Sequence, residues 1–203
     1  MSANTQRPRQ PPAWVPFAAI AAWFILWFLT PGLLSNGVGS WFTSDGPTIV
    51  LIESAVATAV AVAIILLHRR LNRELFARDR LIWAYAPLVS AAIALPFHYE
   101  LEYPVAIYML WMTVSVFWQI YLTFGLLQSY LETRFRPWIA AAVTTVVFCL
   151  GHVLYLPDRF GPSNWLAAAA MLAMGLVFAA LRAKFRSLHL LIALHLGFYF
   201  VFS

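Results

Sequence analysis

Charge is scarce in this chain. Of its 203 residues only 10% are Asp, Glu, Lys or Arg, while 63% are hydrophobic, and the mean hydropathy is +0.78. That balance excludes an ordinary soluble domain. Cysteine is scarcer still: Cys149 stands alone inside an apolar run, which excludes an intrachain disulfide framework and a thiolate metal cluster. Long polar stretches are missing too. None between the apolar runs exceeds about 20 residues, too few to bury a separate core. Acidic charge is the rarer sign, 8 residues against 13 basic ones, for a net charge of +5. The arginines are dispersed over short loops instead of lining one surface, so nucleic acid is not an expected partner.

What the chain has in abundance is long apolar runs. About 20 residues are needed to cross roughly 30 Å of hydrocarbon, and seven segments qualify or nearly so: 14–34, 48–68, 81–97, 104–128, 138–156, 165–181 and 188–202. The fold class expected is all-α, a polytopic membrane helical bundle of about seven transmembrane helices. Residues 14–203 form one transmembrane domain. Residues 1–13 carry Pro and charge without an apolar period and read as a mobile cytoplasmic tail. With the N-terminus inside, 12 of the 13 basic residues fall on one side, Arg159 alone lying on the other. The positive-inside rule then gives N-in, C-out.

Residues 69–80 read either as a short interfacial helix, with Leu71 and Leu75 one turn apart and Glu74 four before Arg78, or as a solvated connector. Small residues recur at helix-pairing intervals: Ala55, Ala59 and Ala63 in the second segment, Ala169 with Ala173 and Gly175 with Ala179 in the sixth. The many Trp and Phe residues suit lipid-facing or interfacial positions better than a cofactor box.

Polar residues at membrane depth are expensive, about 2.5–3.5 kcal/mol for an ionised group on insertion scales, and each is a functional candidate. They are Glu53, Gln119, Gln128, His152 and His195. Glu53 sits near the outer end of its segment, where its carboxyl can reach water or stay protonated. His68 and His189 lie beside arginines at segment ends, as interfacial residues do. His152 and His195 each stand alone on an apolar helix, where a histidine serves as a hydrogen-bond partner or as a ligand.

Three short motifs occur in order. Gln119-Ile120-Tyr121-Leu122-Thr123-Phe124-Gly125 opens onto GLLQSYLE; Phe148 and His152 make FxxxH, both on one helix face; His195 is followed four residues on by Tyr199. The region of about 115–200 resembles the intramembrane metalloproteases that include CAAX prenyl proteases and bacteriocin-processing or immunity proteins, abbreviated CPBP or Abi. That family carries EExxxR followed by Gly, then FxxxH, then HxxxN or HxxxD. The resemblance implies that position 119 would hold a glutamate, 120 a second and 124 an arginine. Here they are Gln, Ile and Phe, and Tyr199 replaces the Asn or Asp. The spacing, 27 residues from Gly125 to His152 and 43 from there to His195, suits the family.

In that family the glutamates and histidines are thought to hold a metal or activate a water, and the Asn to stabilise the oxyanion. Gln119 has the shape of glutamate but accepts no proton near neutral pH, and catalytic zinc usually has three protein ligands plus a water. His152, His195 and Gln119 are therefore vestigial candidates for the catalytic positions, with Glu53 beside the two histidines as the remaining candidate metal ligand. The function expected is that of a catalytically degenerate scaffold, assembly or accessory subunit, partnered by other integral membrane proteins and the lipid bilayer, with no cofactor. An active, zinc-dependent intramembrane protease with unusual ligands is the alternative, and a haem- or chlorophyll-ligating subunit using His152 or His195 is a third reading. No sorting signal is evident, so a bacterial inner membrane is the expected location.

Overall fold

The computed structural model describes residues 12–34 and 37–203; most of the amino-terminal tail, residues 1–11, lies outside them. Among the described residues there are helices and no strands. In chain order the α-helices are α1 (Val15–Trp27), α2 (Gly46–Leu67), α3 (Arg69–Leu75), α4 (Tyr85–Ala94), α5 (Val105–Ile120), α6 (Gln128–Glu132), α7 (Pro137–Tyr155), α8 (Pro157–Phe160), α9 (Trp165–Phe185) and α10 (His189–Val201). Five helical stretches are long and apolar enough to cross a membrane: Gly46–Leu67, Arg80–Phe97, Val105–Glu132, Pro137–Tyr155 and Pro157–Phe185. The chain is a helical membrane protein.

All seven predicted segments are helical, but the first and last are short. α1 and α10 have 13 residues each, about 20 Å at the usual rise. The first segment stops seven residues before expected because the chain turns inward at Pro31 and Gly32, the latter with φ of 70°. The third is irregular, with single 3₁₀ turns at Arg80–Ala84 and Leu95–Phe97 flanking α4. The fourth runs on from α5 through a π-helical stretch, Tyr121–Leu127, into α6.

The interfacial helix of residues 69–80 forms only as far as Leu75. Leu75 is fully buried and Leu71 packs against the core, while the outward face carries Arg69, Arg70 and Arg73. Arg78 lies beyond the helix end, so the i,i+4 pairing with Glu74 on one helix is not formed. Leu188 donates its N–H to the Leu75 carbonyl at 3.0 Å, tying α3 to the start of α10.

Helix pairing uses small residues, though not all of those predicted. Gly175 and Ala179 are buried on α9, where a Cβ at 175 would stand 3.1 Å from Thr145 and 3.3 Å from Phe148 of α7. On α2, by contrast, Ala55, Ala59 and Ala63 are exposed and the buried small residues are Ser54, Ala57 and Ala61. The stripe predicted for packing faces outward because the packing face is set two residues along, by Glu53, Ser54 and Ala57.

Candidate functional site

The site is assembled on α5, the π-helical stretch, α7 and α10. His152, on α7, is buried, and its Nδ1–H donates to the Phe148 carbonyl one turn earlier, 2.9 Å away. That bond leaves the lone pair on Nε2, the only ring atom of His152 able to accept or ligate while the ring is neutral. The ring sits among Phe148 (centroids 4.4 Å), Trp27 (5.4 Å) and Phe160 (5.3 Å). His195, on α10, is also buried, stacked on Tyr199 at 5.4 Å and tilted against Phe178 at 5.6 Å. Its Nδ1 is buried without a partner among the described residues.

Phe124 touches Phe148, the neighbour of His152, at 5.5 Å and Phe178, the neighbour of His195, at 5.7 Å. It is wholly buried, as is Ile120. Phe124 occupies the position at which the resemblance calls for an arginine, and there it packs between two phenyl rings, each of which touches one of the histidines.

Gln119 is buried, and its amide donates to Ser115 Oγ at 3.1 Å. Ser115 in turn donates to the Pro31 carbonyl at 3.3 Å, which also accepts the Trp111 indole N–H at 2.8 Å. Glu53 does not reach water as expected. It is 5% exposed and its Oε2 accepts the Gly32 N–H at 2.7 Å. The structure therefore gathers Gln119 and Glu53 around the Pro31–Gly32 turn, sets His152 against Trp27 and Phe148, and sets His195 against Phe178 and Tyr199. Gly32 has to be glycine, since its φ is positive and a Cβ would stand 2.1 Å from the Trp111 ring. Among the described residues no three His, Cys, Asp or Glu side chains gather as a metal-holding group.

The residues that sequence reasoning missed are on α1. Trp23 and Trp27 are buried, not lipid-facing, and stack on each other at 4.4 Å. Trp23 donates its indole N–H to Thr123 Oγ1, 3.0 Å away in the π-helical stretch. A Cβ at Gly151 would come within 2.4 Å of Trp23, so α1 lies directly on α7 beside His152. Their i,i+4 spacing puts both indoles on one helix face, and that was the available signal. Two other polar residues are engaged within the protein. His189, at the start of α10, is buried, with Nδ1 3.2 Å from the Tyr85 hydroxyl. Gln128 donates to the Ala179 carbonyl at 3.1 Å and to Glu132 at 3.2 Å, joining α6 to α9.

Residues 102–201 match the family model described as type II CAAX prenyl endopeptidase Rce1-like. This stretch is Rce1-like in sequence. No curated protein and no solved structure matches the chain. The matched stretch begins just before α5 and ends at the last residue of α10, so the Rce1-like region contains Gln119, His152 and His195, whereas Trp23, Trp27, the Pro31–Gly32 turn and Glu53 come from outside it. The π-helical stretch falls within it, beginning just after Gln119 and Ile120 and covering Phe124 and Gly125. Such stretches are found often at functional sites; in this Rce1-like region it carries Thr123 toward Trp23.

Proposed function

We propose that this chain is a catalytically inactive relative of the CAAX-type membrane proteases, acting as a scaffold, assembly or accessory subunit of a larger membrane complex. One observation carries the reading: the two indoles of α1 pack against α7 beside His152, where an attacking water would have to reach its free ring nitrogen. Trp23 and Trp27 pack on His152 and Gly151, and Gln119 and Glu53, the polar groups nearest to a catalytic pair, are engaged in holding the Pro31–Gly32 turn. Hydrolysis needs a base within hydrogen-bond reach of an attacking water, and Ile120 and Phe124 supply none. Nor does the donor set suit a hydrolytic zinc, which wants three ligands and an open position. The bacterial inner membrane is the proposed location.

The purified protein is expected to cleave no prenylated CAAX peptide and no general peptide library, with or without added zinc. Cleavage that disappears in His152→Ala would overturn this reading. Gentle detergent extraction followed by mass spectrometry is expected to recover other integral membrane proteins with it; a lone monomer in every preparation refutes the accessory role. The unpartnered His195 Nδ1 favours a second reading, in which the histidines ligate a metal or a haem or chlorophyll. A colourless, metal-free preparation of full helicity removes it.

A further inference from the structure

The outward side of α1 holds a feature unrelated to the histidines. An apolar groove of about 430 Å³ runs between α1, the end of α2 and the π-helical stretch, walled by Ala18, Ala22, Trp23 and Leu126 and ending at His68 and Tyr130. That volume lies within the roughly 300–1,000 Å³ of small-ligand sites. At its end the His68 Nδ1–H donates to the Ile64 carbonyl at 2.9 Å, and the Tyr130 hydroxyl donates to His68 Nε2 at 2.7 Å. The polar pair satisfies itself and closes the groove. Immediately beyond His68, α3 begins and presents Arg69, Arg70 and Arg73 on its exposed side.

We propose that this groove is a binding site for one anionic phospholipid, with an acyl chain along Ala18 and Ala22 and the phosphate on the arginines of α3. Apolar chain and anionic head are matched by the two parts of the site in the order in which they meet at a membrane surface. A polybasic segment at the cytoplasmic end of a spanning helix attracts such lipids by about 1 kcal/mol per basic residue. A partner's transmembrane helix would fit the apolar wall but would leave the three guanidiniums at its end without an anion. The site stands whether or not the chain hydrolyses peptides.

The test is native mass spectrometry of the protein released from nanodiscs of equal phosphatidylglycerol and phosphatidylcholine. One phosphatidylglycerol is expected to be retained, preferred over phosphatidylcholine by roughly fivefold for each arginine its phosphate meets. Ala22→Trp and Ala18→Phe, both on the exposed face and therefore harmless to the core, are expected to abolish retention of either lipid. Arg69→Gln/Arg70→Gln/Arg73→Gln is expected to keep the lipid but lose the preference. Equal retention of the two lipids by the unmodified protein overturns the headgroup assignment. Retention unchanged in both groove variants, displacement by inorganic phosphate alone, or a protein adduct in place of a lipid each overturns the site.

Discussion

The packing of α1 against α7 can be tested by pairing two substitutions that should cancel. A Cβ added at Gly151 would lie 2.4 and 2.8 Å from two atoms of the Trp23 six-membered ring, well inside contact distance. Trp23 cannot retreat easily, because it is 2% exposed and its indole N–H is held by Thr123. Gly151→Ala is therefore an overpacking change, expected to cost about 1–3 kcal/mol. Trp23→Phe removes those outer ring atoms and the N–H together, leaving the buried Thr123 hydroxyl without its donor, for about 1–3 kcal/mol. In the double variant the added methyl enters the space vacated by the indole. The double variant should thus be no less stable than Trp23→Phe alone, a coupling of about 1–3 kcal/mol and well above the few tenths expected of independent sites. The assay is unfolding by dodecyl sulfate in mixed micelles, followed by far-ultraviolet circular dichroism, for the four proteins of the cycle. Additivity within about 0.5 kcal/mol would refute the claim that an indole fills the space beside His152.

Three further outcomes follow from single residues. Arg182 is 4% exposed, donates through Nη2 to Ser129 at 3.0 Å, and has Nε and Nη1 buried without partners among the described residues; Arg182→Met should leave the same unfolding midpoint or raise it by up to about 4 kcal/mol of stability, and a large loss would contradict this. Asp45, outside the membrane at the start of α2, has its carboxyl pKa lowered by hydrogen bonds from the Thr48 side chain and then its backbone N–H. Its stabilising effect is therefore present above the ordinary carboxylate value and lost as pH falls through the lowered one. The protection of the Thr48 amide, its exchange rate relative to the intrinsic rate at the same pH, should fall on acidification, and in Asp45→Asn it should show no such transition; identical profiles would dismiss the cap. Finally, Gln119→Glu/Ile120→Glu should remain without peptidase activity, because it restores carboxylates while Trp27 still covers His152; zinc-dependent cleavage by this variant would show that the indoles do not block the site.

The apolar runs located a helix in each of the seven segments, five of them in stretches long and apolar enough to span, because an apolar helix is specified by composition over 15 to 20 residues and scarcely by its neighbours. Segment ends were less legible. Nothing in the apolar pattern of 14–34 says that the chain leaves the helix at Trp27; the Pro31-Gly32 pair does, but its inward course depends on Trp111, Ser115 and Glu53, between 21 and 84 residues away. The two histidines were legible through FxxxH and the spacing to His195. Their surroundings were not. In lipid both faces of a helix are apolar, so hydrophobicity cannot say which side is buried, and Trp23 and Trp27 looked no different from Trp14, which is 65% exposed. The same ambiguity misassigned the small-residue face of α2.

The irregular backbone at Tyr121–Leu127 brings these threads together. A π-helical stretch widens the helix and shifts the side chains after it relative to those before. Here the residues before it, Ser115 and Gln119, bond toward the Pro31 turn, and those within it, Thr123 and Phe124, meet Trp23 of α1 and Phe148 of α7. Gly125, also within it, has Leu75 and Leu188 so close that a Cβ would lie 3.1 to 3.4 Å from them. One stretch of helix thus serves three contacts that a regular repeat would place on different faces. In a working protease of this family the same stretch would have to present two carboxylates and an arginine to one cavity. In this chain an amide just before the stretch bonds to Ser115, and within the stretch a hydroxyl meets an indole and a phenyl ring meets Phe148 and Phe178. The amide and the hydroxyl are engaged by the protein itself, and neither they nor a phenyl ring can supply the charge that two carboxylates and an arginine would bring to a peptide bond.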